Sequence, residues 1–208
     1  DLTGFQISVT VGSTGRNVGG VFGILGNTGT GKFTINGASE AEGNHVDSVL
    51  TGSGKPTGYG GLIGIYQTNS KDSKLMIQNL SIHSAVNTNN SSAFDTYGGV
   101  LGKIITEVSQ NAPDNTYVSF QNLTVSSDFN NSNRFNLFGG IIGAMDGKGC
   151  FLTGEDLTVS CGSTVNAGAK RGGLFGYMEG GVLRLSGTTD LSGMSITAAK
   201  WRGQLIGL

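Results

Sequence analysis

Apolar positions along this chain recur in two arrangements, set between polar, glycine-rich stretches. The first is a five-residue box of two glycines, two apolar residues and a glycine. It appears as Gly19-Gly20-Val21-Phe22-Gly23, Gly60-Gly61-Leu62-Ile63-Gly64, Gly98-Gly99-Val100-Leu101-Gly102, Gly139-Gly140-Ile141-Ile142-Gly143 and Gly172-Gly173-Leu174-Phe175-Gly176, with a degenerate sixth copy at Gly203-Gln204-Leu205-Ile206-Gly207. The second follows most boxes: Lys74 to Ile82 aligns with Tyr117 to Val125, and Cys150 to Val159 fits the same frame. Within it apolar residues alternate with polar ones (Leu123 and Val125; Ile7, Val9 and Val11), the period-2 signature of a strand with one buried face. No stretch carries a helical period.

Each repeat therefore predicts three short strands: the box, a second near Leu75 or Val118, and a third near Leu80 or Leu123. One such coil cannot bury its apolar face alone. Stacked coils can, pairing their backbones about 4.8 Å apart. The expected fold is all-β, a right-handed parallel β-helix (β-solenoid) of about five to six coils, forming a single domain over residues 1–208. Because Leu2 to Thr14 matches Leu152 to Thr164 without a gap, the chain opens halfway round a coil and reads as a fragment of a longer repeat protein.

Details follow from that plan. The paired glycines permit positive φ and close backbone approach at a corner. Asn79, Asn122 and Asp156 fall at one equivalent corner, where stacked side chains can hydrogen-bond along the axis. Pro56 and Pro113 belong in loops. If the box is one straight strand, its two apolar positions point oppositely. Val21, Leu62, Val100, Ile141 and Leu174 then face inward with Leu25, Tyr66, Ile104, Met145 and Met178. Phe22, Ile63, Leu101, Ile142, Phe175 and Ile206 face outward, under loop residues such as Phe94 and Phe135 or under another chain.

Composition narrows the functional classes. Thirteen basic and fourteen acidic residues leave a net charge of −1, which provides no cationic surface for nucleic-acid phosphates. Charged residues are 13% of the chain, about half the globular average, and Ser, Thr, Asn and Gly take their place. No apolar run approaches the ~20 residues of a transmembrane helix. Two cysteines, Cys150 and Cys161, make no disulfide scaffold or zinc motif. Both have inward parity, at separated ends of their strands, which favours buried free thiols over a bridge. No cofactor is implied.

Gly172-Gly173-Leu174-Phe175-Gly176-Tyr177-Met178-Glu179-Gly180-Gly181-Val182, and similarly Gly139 to Gly149, resembles the GLUG motif, a glycine-rich repeat of large bacterial surface and secreted proteins. The resemblance implies a β-helical stalk or adhesive region, non-catalytic, at the cell surface or outside the cell, with a glycan, a protein, or neighbouring repeats or protomers as partner. The alternatives are a polysaccharide-degrading β-helix enzyme, which needs carboxylates converging on an outer strand face, and a phage fibre or tailspike segment.

Candidate sites are few. The column before each box reads Val18, Tyr59, Tyr97, Phe138, Arg171, Arg202. If exposed, Tyr59, Tyr97 and Phe138 with the guanidinium groups of Arg171 and Arg202 form a partner-binding ladder; otherwise the rings cover a corner. Glu40, Glu42, His45 and Asp47 crowd the stretch Ala38 to Ser48, read as an acidic solvated loop, and His83 as structural. Asp146, Glu155, Asp156 and Glu179 scatter over turns, so no catalytic or metal residue is assigned. The sequons at Asn79, Asn89, Asn90, Asn122 and Asn130 are expected to stay bare in a bacterial protein.

Overall fold

The computed structural model describes residues 2–3, 7–12, 16–27, 31–37, 45–51, 57–70, 72–87, 93–106, 116–130, 134–147, 150–162, 170–196 and 201–207. The chain opens with β1 (Leu2–Thr3) and β2 (Ile7–Val11). A first coil follows: β3 (Asn17–Gly19), β4 (Phe22–Asn27), β5 (Lys32–Asn36) and β6 (His45–Leu50). The next three coils repeat one plan: β7 (Gly58–Gly60), β8 (Ile63–Thr68), β9 (Lys74–Val86); β10 (Ala93–Gly98), β11 (Leu101–Thr106), β12 (Thr116–Phe129); β13 (Arg134–Gly139), β14 (Ile142–Asp146), β15 (Cys150–Cys161). A fifth comprises β16 (Lys170–Gly172), β17 (Phe175–Met178) and β18 (Val182–Asp190), and β19 (Trp201–Gly203) begins another.

The strands stack into three sheets whose pairings are all parallel. Sheet A follows the order β1-β5-β9-β12-β15-β18, with β2 and β6 alongside. Sheet B runs β19-β16-β13-β10-β7-β3, and sheet C runs β17-β14-β11-β8-β4. This is a parallel β-helix with three strands per coil. The boxes lie over one another: Gly19 pairs Gly60, Gly60 pairs Gly98, Gly98 pairs Gly139, Gly139 pairs Gly172 and Gly172 pairs Gly203.

The strands are cut differently from the sequence expectation. The box is not one strand. Its first glycine ends a sheet B strand, the next two residues bend, and its second apolar residue opens a sheet C strand. The expected second and third strands are one long strand, bent in the middle. In β9, β12 and β15 the bend falls at Asn79 (φ 57°), Asn122 (φ 49°) and Asp156 (φ 51°), the left-handed region in which Asn and Asp are the least disfavoured non-glycine residues.

The corner inside the box overturns the outward column. Strand parity applies only while the backbone runs straight. Across the bend both apolar residues turn inward. Leu62 with Ile63, Val100 with Leu101, Ile141 with Ile142 and Leu174 with Phe175 are all buried in one core, and Phe22 and Ile206 pack against it. Phe94 and Phe135 are not loop covers. They are buried strand residues, stacked with ring centroids 5.4 Å apart.

The glycines act through close approach. None of the described box glycines has positive φ; Gly147, Gly180, Gly181 and Gly187 do. A Cβ at Gly60 would overlap the carbonyl oxygen of Ile63, and one at Gly102 would lie 2.6 Å from the Tyr59 nitrogen. Sheets B and C thus touch backbone to backbone beside the corner, where any side chain would hold them apart. The core accordingly divides in two. The first half of sheet A packs Leu75, Ile77, Val118 and Leu152 into the cluster with Tyr66 and Ile104 from sheet C. Beyond the bend Val46, Ile82, Val125 and Val159 still belong to that cluster, and only the far end of the sheet packs Leu50, Val86 and Phe129 with Tyr59, Tyr97 and Phe138 from sheet B. Pro56 and Pro113 lie outside the described residues.

Candidate functional site

The column of Val18, Tyr59, Tyr97, Phe138, Arg171 and Arg202 is in register throughout. Tyr59 and Tyr97 stack at 5.3 Å, and Tyr97 and Phe138 at 5.2 Å with ring planes 1° apart. The ladder forms, but it faces inward. Tyr59, Tyr97, Phe138 and Arg171 are fully buried, and Arg202 alone is exposed. Tyr59, Tyr97, Phe138 and Arg171 are core, which corrects their candidacy as a binding surface, while Arg202 stays accessible. The reason is again the box corner: with the glycines turned toward sheet C, the residue before them points the other way, onto the second half of sheet A.

What lets two tyrosines sit there is a column the sequence did not reveal. Ser48, Ser84 and Ser127 are buried, inward-facing and laterally paired across β6, β9 and β12. The Tyr97 hydroxyl lies 2.6 Å from Ser84 Oγ and donates to Ser127 Oγ at 2.9 Å; the Tyr59 hydroxyl lies 3.1 Å from Ser48 Oγ. Buried hydroxyls are tolerated when paired in this way. Burial pushes both phenols above their ordinary pKa, against the lowering effect of the serine bonds. Burial also lowers Arg171. Where the tyrosine column becomes Phe138, the next residue of the serine column is Cys161. Cys150 and Cys161 are buried, at opposite ends of β15. Burial pushes the Cys150 thiol up to about 12.

The accessible chemistry lies on the outer face of sheet A, whose long strands expose alternate residues. The central bend divides this face. Before the bend the described outward positions carry Lys32, Lys74 and Arg184 against one acid, Glu155, which accepts from Gln121 Nε2 at 3.0 Å. Tyr117 and Phe151 stack there at 5.4 Å, with Tyr117 39% exposed and the Lys74 ammonium 5.7 Å from its ring centroid. This row has a sequence signal: Tyr117 and Phe151 have outward parity beside inward Val118 and Leu152.

Beyond the bend the described outward positions carry Asp47, Asp128 and Asp190 with His45 and His83, and no Lys or Arg. His45 Nε2 lies 3.1 Å from one oxygen of Asp47, and His83 Nδ1 lies 3.3 Å from the other. His83 Nε2 lies 3.0 Å from Asp128. His45 and Asp47 are therefore strand residues of β6, where a loop was expected; Glu40 and Glu42 lie outside the described residues. His83 ties three neighbouring strands together. Among the described residues no group of three or more His, Cys, Asp or Glu is arranged to hold a metal ion.

The chain matches no family model, no curated protein and no solved structure.

The other sequence candidates are dispersed. Asp146 pairs with Lys103 on sheet C. Asp156 accepts from the Thr188 backbone N–H at 2.9 Å. Glu179 is exposed directly after β17. Asn79, Asn122 and Asn130 each donate a side-chain amide to an asparagine of the preceding coil, at 2.8, 3.0 and 2.9 Å. The sequons at Asn89 and Asn90 lie outside the described residues. Among the described residues no helix is long and apolar enough to cross a membrane.

Proposed function

We propose that this solenoid is a non-catalytic structural and adhesive module of a bacterial surface or secreted protein, which meets a glycan or protein partner with the outer face of sheet A. The observation that carries the reading is that face. Three neighbouring strands, β9, β12 and β15, present aligned rows of Ser, Thr and Gln side chains (Ser81, Thr124 and Thr158; Ser119 and Thr153; Gln78 and Gln121) on a paired backbone. Such rows repeat the same donors and acceptors at strand spacing, which suits a partner that is itself a repeating polymer. The box resemblance to GLUG repeats points to the same setting. A glycan array probed with the purified chain, alongside a variant with Thr124→Lys and Thr158→Lys, tests it. Binding weakened by the substitutions supports the module; binding indifferent to them moves the contact elsewhere.

The Asp47–His83–Asp128 line favours a second reading, cleavage of a polysaccharide by acid–base chemistry. Here two carboxylates and an imidazole meet on an outer strand face. Release of new reducing or unsaturated chain ends from a polysaccharide, lost in Asp128→Asn, would select this reading over the first.

A further inference from the structure

We infer that the row Lys32, Lys74, Tyr117 and Phe151 is a binding site for an acidic polysaccharide. The inference rests on the module reading above and specifies its ligand.

Lys32 and Lys74 are exposed lateral neighbours on β5 and β9, and parallel strands are about 4.8 Å apart. Like charges at that spacing repel. None of the ion pairs among the described residues involves either lysine. The fold thus sets two exposed lysines on adjacent strands, neither paired with a carboxylate among the described residues, the arrangement that an anion completes. The row continues without a step into Tyr117, Phe151 and Val182. Tyr117 and Val182 are 39% and 38% exposed. One column therefore offers two cations and then an apolar aromatic flank.

The neighbouring column ends in exposed Arg184, beyond Met76, Ser119 and Thr153. A ligand laid along the axis meets cations at both ends, an aromatic flank between them, and hydroxyl partners beside it. An acidic sugar polymer has each matching part: carboxylate or sulfate groups for the lysines, C–H faces for the rings, and hydroxyls for Ser119 and Thr153. An acidic peptide would satisfy the lysines and leave the aromatic flank unused. The acidic half of the sheet, beyond the bend, repels the same polymer and confines it to this side.

The test measures retardation of the whole chain in gels cast with polygalacturonate, dextran sulfate or neutral dextran, with polyglutamate as the non-sugar polyanion. Retardation by one or both acidic polysaccharides is expected, weakening steeply with added salt; the two arms distinguish carboxylate from sulfate. Lys32→Gln with Lys74→Gln should weaken it by about tenfold or more. Tyr117→Ser should weaken it while leaving the salt dependence unchanged. Retardation by polyglutamate as strong as by either polysaccharide would reduce the row to an unselective cation patch and overturn the inference. Retardation by neutral dextran alone overturns the acidic ligand but leaves the glycan module standing. No retardation by either acidic polysaccharide also overturns the inference, and the glycan array then decides the module separately.

Discussion

The side-chain amide of Asn122 donates to the side-chain carbonyl of Asn79 one coil below, at 3.0 Å, and both residues hold positive φ. The two features support each other. Left-handed backbone at the sheet A bend aims each side chain along the axis, and the amide carries both a donor and an acceptor, so a ladder can run through it. Asn79 extends it to Asn36 at 2.8 Å. In the fifth coil Gly187 takes the left-handed position, at φ 62°, and Asp156 caps the Thr188 N–H. Asn122→Ala should therefore cost about 1–2 kcal/mol, from the lost amide bond and a Cβ residue without local compensation at positive φ. Asn122→Gly keeps the conformation and should cost less than about 1 kcal/mol. Urea unfolding of both variants checks this; equal losses would show that φ does not select the asparagine.

The box glycines predict a sharper contrast. Gly102→Ala places a methyl 2.6 Å from the Tyr59 backbone nitrogen, between two sheets that cannot separate locally without breaking their ladders. We expect a loss of about 3 kcal/mol or more, or failure to fold. Gly26→Ala, in the same sheet but with nothing within 4 Å of the added carbon, should stay within about 0.5 kcal/mol of the parent. Thermal melts of the pair, with circular dichroism to confirm strand content, separate close approach from a general intolerance of alanine.

These contrasts show what was legible in the sequence. The stack, its register and the asparagine corner all follow from recurrence, because each coil must offer its neighbour the same hydrogen-bonding and apolar pattern. Which way Ile63 or Tyr97 points does not. A two-residue bend at Gly61 and Leu62 resets the alternation, and no local periodicity records where a strand stops being straight. The same bend turns Tyr59, Tyr97, Phe138 and Arg171 inward; their register is legible in the sequence, while their facing stays open there between an exposed ladder and a covered corner. Tyr117 and Phe151 were legible from parity alone. The association of Asp47 and Asp128 around His83 was not, since their contacts depend on side-chain reach between strands.

Cys150 sets an alkaline limit. Its thiol, pushed up to about 12 by burial, keeps its proton in the folded chain after the unfolded chain, titrating near 9.0, has lost it. The unfolded state then binds fewer protons, so stability falls as pH rises. The contribution is complete below the ordinary thiol range and is lost between that range and about 12. Buried Tyr59 and Tyr97, also raised, act in the same direction. Urea midpoints at pH about 8 and about 10 should drop more for the parent than for Cys150→Ala. A thiol reagent at pH about 8 should modify Cys150 only as fast as the chain opens. Prompt labelling of the folded chain would contradict its burial.

The tyrosine–serine column makes the last prediction, because its cost depends on what is left behind. Tyr97→Phe removes a hydroxyl held by Ser84 and Ser127 and leaves both serine oxygens, which are buried, one partner short. That should cost about 1–3 kcal/mol. Replacing the serines as well, as Tyr97→Phe with Ser84→Ala and Ser127→Ala, removes the stranded groups and should recover part of the loss despite deleting more atoms. The fourth coil already shows the apolar solution, with Phe138 in the ring column and Cys161 in the serine column. Unfolding free energies of the single, double and triple variants give the coupling directly. Simple additivity would mean that the hydroxyls are independently solvated, and that the buried serine column does not place the rings.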